Sequence, residues 1–546
     1  MRILGLTSPV SFNSAAAAVR DGRLVAAVEE ERFVHLKHAP RMLPRQSVSY
    51  CLNVLEAGLA DIDCIAVGHE NSGSHLYGVL KAIFSGGIEL SRLSLEQELA
   101  FWTNHLFGMR NFKGTLVPDK RRLRYYPHHL SHAASAFYCS GFERAAIMTL
   151  DGRGGYESGL LASGHGASIR PLAHVSIRQS WGLFYEWFTR ALGFRHHSEE
   201  GKVMGLAAYG RPSLVPFVDF SGELPRIDNN GMARYFREIP WRKPGDEIAA
   251  VHHDIAAACQ HTLEEAGLRI ARWVLDRSEA KHLCLAGGVA LNCSMNGRLW
   301  RDLPLEGIFI QPASSDSGTA IGAAMLAHVE MTGERAPFEM RHAYWGPEYT
   351  DAEVLDAIHK SKVPRWERSD DIAADTAKHL ADGKILAWMQ GRMEIGPRAL
   401  GARSILADPR RAEMKEIVNR QVKWREPWRP FAPSIQEERV VDYVSHPVWS
   451  PFMIVAFQSL EAARGRIPAA IHVDGTARVQ TVSRETNPRY WGLLEAFRKI
   501  TGEAVVLNTS FNVKGQPIVN TPLEAISTLY SCGLDGLAIG NYLILK

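Results

Sequence analysis

Ala145-Ala146-Ile147-Met148-Thr149-Leu150 runs into Asp151-Gly152-Arg153-Gly154-Gly155, and Gly159-Leu160-Leu161-Ala162-Ser163 follows close behind. This reads as a short apolar strand, a glycine turn and a second strand. The start of the chain has the same form. Arg2 to Leu6 predicts a strand, Asn13 to Val19 the next, and Asp21-Gly22 a hairpin turn into Leu24-Val25-Ala26-Ala27-Val28. The unit therefore occurs twice, with helical segments between the copies, and strands alternating with helices predict an α/β fold. Farther on, His282 to Ala286 predicts a buried strand that enters Gly287-Gly288 and then a helix through Asn292. Such a joint lets backbone approach a nucleotide, and it is also an ordinary strand-to-helix connection.

At 546 residues and 46% hydrophobic content the chain exceeds what one core usually fills, so at least two domains are expected. Between Met331 and Asp371 the texture changes, with Pro337, Pro347 and Pro364 among polar residues, and a boundary is placed there: 1–345 and 346–546. Beyond it, Lys384 to Met389 and Ala504 to Leu507 predict further strands. Lys plus Arg total 62 against 59 acidic residues, a balance of +3 that makes no global case for nucleic acid or an anionic membrane. Seven cysteines without a CxxC pair argue against a disulfide framework and for a reducing cytoplasm. The apolar start is interrupted by Ser8 and Pro9 too early for a signal-peptide core, and no run is long enough to span a bilayer.

Two clusters carry chemistry. In Pro127-His128-His129-Leu130-Ser131-His132, the i,i+4 spacing puts His128 and His132 on one helix face, where both imidazoles can reach one ion, and Asp151 at a strand end offers a carboxylate. A lone pair at this spacing is more often a surface or capping feature, so the motif alone leaves metal binding open. The second cluster is Gly391 to Leu406, followed by Lys423-Trp424-Arg425-Glu426-Pro427-Trp428-Arg429-Pro430. Guanidinium forks match phosphate oxygens, and interleaved prolines and tryptophans suit a walled pocket better than a basic surface face. Val473 to Gln480 and Leu507 to Asn512 are candidates to line the same pocket. P-loop, HExxH and GxSxG signatures are absent.

In order along nearly the whole chain, HHLSHAASAFY, EGKVMGLAAYG, LAGGVALNCSMNGRL, QPASSDSGTAIGAA, GRMEIGPRALGARSIL, REPWRPFAP, VDGTARVQTV and NTSFNVKGQPIV resemble the NodU/CmcH carbamoyltransferase family. The resemblance implies a duplicated N-terminal domain of actin/hexokinase-like fold, similar to the tRNA threonylcarbamoyl transferases, and a C-terminal YrdC-like domain. It implies ATP-dependent O-carbamoylation: carbamoyl-AMP forms from carbamoyl phosphate and ATP in the second domain and is passed internally to a hydroxyl bound at the first. It further implies that His128, His132, Asp151 and Asp316 hold Fe(II) or a similar divalent ion, with Mg accompanying ATP. Gly152, Lys202, Gly205, Gly288 and Asn292 would contact the nucleotide. Arg398, Lys423, Arg478 and Ser510 would bind carbamoyl phosphate and the ATP phosphates catalytically, with Arg403, Arg429, Asn508 and Asn512 as further phosphate contacts.

One departure stands out. Family members usually carry His-Asp ahead of Ser-Ala-Ala, where this chain has Ser11-Phe12-Asn13-Ser14-Ala15-Ala16. His38 is a candidate to serve as base instead, and a metal-bound acceptor is the alternative. The implied partner is a small hydroxylated acceptor from antibiotic or other natural-product biosynthesis, with neither nucleic acid nor membrane, and a homodimer is left open. Phe84, Phe101, Trp102 and Phe107 within 71–120 suggest an apolar acceptor wall, and hence a macrolide. The competing readings are a tRNA threonylcarbamoyladenosine-type enzyme and a nucleotide-binding regulator with a decayed transfer site.

Overall fold

The computed structural model describes residues 1–9, 11–70, 103 and 110–546, so the expected acceptor wall with Phe84, Phe101, Trp102 and Phe107 lies outside the described residues. The chain divides into two compact units, Met1–Val34 with His38–Met340 and His35–Lys37 with Arg341–Lys546.

The first unit is built on two five-stranded sheets. In one, β1 (Arg2–Leu6), β2 (Ala15–Arg20), β3 (Arg23–Glu29), β4 (Cys64–Val67) and β5 (Leu123–Tyr125) lie in the order β3-β2-β1-β4-β5. The first three form an antiparallel meander, and β4 and β5 add in parallel to β1. Asp21 and Gly22 both take positive φ, 50° and 74°, the backbone twist a two-residue hairpin needs. In the other sheet, β6 (Arg144–Gly154), β7 (Glu157–His165), β8 (Ser168–Ser176), β11 (His282–Ala286) and β12 (Gly307–Ile310) lie in the order β12-β11-β6-β7-β8; the intervening β9 (Val218–Asp219) and β10 (Arg226–Ile227) form a separate ladder. Again a meander of three strands takes two more in parallel on its first strand. The same strand topology has thus been built twice, the duplication that the sequence predicts.

Burial explains the composition of these strands. Ala15 to Val19 are all fully buried, because helices Arg45–Leu55 and Ser317–Thr332 both pack on β2 and leave room only for small side chains. Helix Ser317–Thr332 also packs on helix His128–Phe137, and there the fit is tightest at Gly322, where a β-carbon would collide with the Ser131 carbonyl. Gly322→Ala is expected to overpack this contact and cost about 1–3 kcal/mol, read as a fall in the thermal midpoint.

In the second unit, β13 (Trp366–Arg368), β14 (Leu386–Met389), β15 (Arg403–Ala407), β16 (Ala432–Gln436), β19 (Gln480–Val482), β20 (Val505–Ser510), β21 (Gly536–Ile539) and β22 (Tyr542–Leu545) form one mixed sheet in the order β13-β22-β21-β14-β15-β20-β16-β19; β17 (Ala456–Gln458) pairs separately with β18 (Thr476–Arg478). On β14, Leu386 and Trp388 join one core with Tyr490, Leu493 and Phe497, whereas Ala387 and Met389 join another with Ile405, Leu507 and Leu537. A sheet covered on both faces is why Ile385 to Met389 reads as an unbroken apolar run.

Several strand ends differ from the sequence reading. The second strand starts at Ala15, not Asn13, and β6 runs on through the glycines to Gly154. The reversal falls at Gly155-Tyr156, because the ladder skips from Leu150↔Gly159 to Gly154↔Glu157.

Candidate active sites in the two units

That skip positions the first site. Residues 151–153 leave the β6–β7 ladder as a bulge, which re-aims Asp151 away from its strand partner. Ser180 fixes the bulge by donating its hydroxyl to the Asp151 and Gly152 carbonyls, at 3.1 and 2.7 Å. Helix His128–Phe137 brings His128 and His132 one turn apart, and Gly154 clears space for them, since a β-carbon there would strike the His128 and His129 rings. The His132 and His128 Nε2 atoms lie 3.1 and 3.4 Å from Asp151 Oδ2 and 3.1 Å from each other. Asp316, at the start of helix Ser317–Thr332, brings Oδ1 to 3.7 Å from His128 Nε2. All four ligand atoms fall within 4.8 Å of one another.

Each carboxylate divides its oxygens. Asp151 Oδ1 accepts the Gly152 and Gly288 amides at 2.8 and 3.2 Å, leaving Oδ2 for the histidines, and Asp316 Oδ2 accepts the Phe12 amide at 3.1 Å, leaving Oδ1. Donors at about 2.1 Å from one ion with right-angle coordination stand about 3 Å apart, so these separations fit a shared cation. His128 and His132 each carry a buried Nδ1 with no hydrogen-bond partner among the described residues. Burial works against charge on His128, but the Asp151 hydrogen bond and the Asp316 and Asp151 charges outweigh it and push the imidazole up to about 9. Asp151 is buried, yet hydrogen bonds from both histidines hold its carboxyl well below the usual range. The cluster is thus a concentration of negative charge that a cation neutralises. Two imidazoles with two carboxylates suit Fe(II), Mn or Zn.

His69 and Glu70, which no motif singled out, stand beside this cluster. His69 follows β4, is 4% exposed and turns its ring edge-on to His128, with centroids 6.0 Å apart; Glu70 Oε1 accepts the His128 amide at 3.3 Å. Their only sequence signal was their place just past a buried strand.

Other expected residues fall on different elements. Gly152 and Gly288 give their amides to Asp151. Lys202 pairs with Glu199 at 2.7 Å on helix Glu200–Ala207, which also carries Gly205. Asn292 caps helix Cys293–Asp302 through the Met295 amide and exchanges two hydrogen bonds of 2.9 Å with Gln260, which makes it part of the frame. His38 rests on Phe12, centroids 4.6 Å apart, with its Nδ1 3.0 Å from Asn13 Nδ2. With the Asn13 amide donating, Nδ1 is the acceptor; with the amide oxygen facing the ring, Nδ1 carries the proton and Nε2 is the basic nitrogen.

The second site gathers cations. A turn of π-helix, Val418–Val422, leads into Lys423, and Trp424 after it sits at φ 44°. Such irregular backbone is found most often at functional positions. Lys423 is 4% exposed, and its Nζ donates to Ser510 O at 2.6 Å, Asn512 Oδ1 at 2.7 Å and Asn512 O at 2.9 Å, with Ser510 Oγ at 3.3 Å. Burial, then the Arg425 and Arg429 charges, depress its ammonium well below the ordinary lysine range. Arg425 is depressed likewise by burial, Arg429 and Arg478, and its Nε donates to Asn419 Oδ1 at 2.6 Å. Four cations therefore repel one another here, an arrangement relieved by a multiply charged anion. Arg478 keeps a buried Nε with no partner among the described residues. Arg398 lies half-buried on the β14–β15 loop, which the buried Glu394 anchors through the Leu400, Ala402 and Arg403 amides.

Two expected phosphate contacts turn inward. Arg403 is fully buried and spends its guanidinium on the Gln390, Gly391, Ala402 and Pro347 carbonyls at 3.0–3.2 Å. Asn508 donates to the Ala399 carbonyl, Ser434 and Gln480. Both hold the frame rather than a ligand. Arg403→Met is accordingly expected to strand several buried carbonyls and cost about 3 kcal/mol or more, whereas Arg478→Met leaves the thermal midpoint nearly unchanged and weakens pyrophosphate binding at least tenfold, read by calorimetry.

Comparison with known proteins places these sites in context. A model described as the carbamoyltransferase N-terminus matches residues 2–325, and one described as the carbamoyltransferase C-terminus matches residues 377–546. Nodulation protein NolNO of Sinorhizobium fredii is 41% identical over all of this chain and 80% of its own length; nodulation protein NolO of Bradyrhizobium diazoefficiens is 41% identical over 77% of this chain and 78% of its own. Among solved structures, T. kodakarensis HypF is 14% identical with a TM-score of 0.37, over 61% of this chain and 48% of that one.

Proposed function

Because the chain belongs to the carbamoyltransferase family and is a carbamoyltransferase, we propose that it divides an ATP-dependent O-carbamoylation between its two units. The observation that carries this reading is the contrast between the clusters: a histidine–carboxylate set that attracts a cation in the first unit, and four cations that attract an anion in the second.

In the second unit, taken as YrdC-like, carbamoyl phosphate would be hydrolysed by water to carbamate and phosphate. The carbamate oxygen would then attack the α-phosphorus of ATP and expel pyrophosphate, leaving carbamoyl-AMP. Lys423, Arg398, Arg425, Arg429 and Arg478 would bind the phosphates and offset the charge that grows on the departing oxygens, and Ser510 and Asn512 would hold the Lys423 ammonium in place. In the first unit, an acceptor hydroxyl would give its proton to a base, His38 in our reading, and attack the carbamoyl carbon, and AMP would leave, giving the O-carbamate. His128, His132, Asp151 and Asp316 would hold a divalent ion, Fe(II) in our reading, which when bound supplies Lewis acidity to the adenylate phosphate. Phe12 and Gly288 would keep the two carboxylates oriented through their amides. Lys202 and Gly205 would contact the nucleotide.

We take the acceptor to be a small hydroxylated natural product; the macrolide reading rests on residues outside those described. Purified protein supplied with ATP and carbamoyl phosphate is expected to release pyrophosphate without threonine or bicarbonate. A requirement for both of those would favour the tRNA-modifying reading instead.

A further inference from the structure

Outside the four-residue cluster, three more metal-ligating side chains converge in the first unit. Glu186 lies on helix Trp181–Ala191, and His196 and His197 lie in the connection to helix Glu200–Ala207. One ligand atom from each falls within 4.8 Å of the others. Consecutive residues ordinarily point their side chains apart. Here His197 takes φ 61°, a left-handed conformation costly for a residue with a β-carbon, and the two rings meet edge to face with centroids 4.8 Å apart. The connection is braced to hold that turn. Glu200 Oε1 accepts the His197 amide at 2.5 Å, Glu199 Oε2 accepts the Arg195 amide at 2.8 Å, and the His197 ring rests on Phe12 at 5.0 Å.

The distances speak for a shared ion rather than a direct bond. His197 Nε2 stands 3.7 Å from Glu186 Oε2, too long for a hydrogen bond, whereas two donors about 2.1 Å from one tetrahedral ion stand about 3.4 Å apart. Glu186 Oε1 faces the Arg190 guanidinium at 3.9 Å, and Oε2 faces the histidine.

We infer that Glu186, His196 and His197 form a second divalent-metal site, richer in imidazole than the first, suited to Zn²⁺ or a similar borderline ion. Three protein donors leave one tetrahedral position, and the His197 side chain, 48% exposed, puts that position within reach of solvent or a ligand.

Cobalt(II) titration of metal-stripped protein tests this, because four-coordinate cobalt has an intense visible band. Glu186→Gln keeps the shape of a half-buried helix side chain and His197→Ala falls in the exposed connection, and the folding of both is checked by thermal melting. Each is expected to bind one equivalent of cobalt fewer than wild type and to lose the tetrahedral band, with pyrophosphate release from ATP and carbamoyl phosphate unchanged. Equal stoichiometry and an unaltered spectrum in both folded variants would overturn the assignment. Since pyrophosphate release is read separately, its absence in wild type would count against the proposed reaction and not against this site.

Discussion

Lys423→Ala is expected to lower pyrophosphate release from ATP and carbamoyl phosphate by about 10²–10³-fold or more while the protein stays folded. The size of the effect follows from how the ammonium is held. Its partners Ser510 and Asn512 are neutral, and burial with Arg425 and Arg429 makes its charge unfavourable until an anion arrives. A preorganised charge of this kind acts most strongly on the charge that develops as pyrophosphate departs. Lys423→Arg is expected to fail as a rescue, because the Ser510 and Asn512 oxygens converge on one compact ammonium and a planar guanidinium cannot satisfy them. Steady-state pyrophosphate release and a thermal melt of each variant check both statements.

Asp151→Asn should have the opposite pattern. The amide keeps an oxygen for the Gly152 and Gly288 amides, so the bulge persists, but the oxygen facing His128 and His132 becomes a neutral donor. Loss of that charge is expected to weaken metal binding by about 10²-fold or more and to stop carbamoyl transfer, with pyrophosphate release retained. Metal content after dialysis is the direct readout. A variant that keeps its metal would exclude Asp151 as a ligand.

Much of this was legible in the chain. Strand β1 falls at the expected residues, because a short apolar run followed by turn residues leaves little choice. The Asp21-Gly22 hairpin was legible because few residue pairs tolerate two positive φ values. Spacing alone put His128 and His132 on one face, whereas Asp316, 184 residues beyond His132, came only through family resemblance. What escaped were features fixed by tertiary packing. Glycines mark permitted conformations without saying which one is used, so Gly152 to Gly155 read as the turn although the chain bulges first and turns later. His69 and Glu70 belong to no pattern, and only the parallel pairing of β4 brings them beside helix His128–Phe137. Arginines look alike in a sequence. Arg403 is bound by four carbonyls, and Arg425, which was not singled out from its motif, is packed among other cations.

The division of labour is tested most directly by steady-state pyrophosphate release from ATP and carbamoyl phosphate in wild type, Lys423→Ala and His132→Ala, each shown to be folded. The account predicts release by wild type, near-complete loss in Lys423→Ala and retention in His132→Ala. Equal loss in both variants, or release that survives without Lys423, would contradict it.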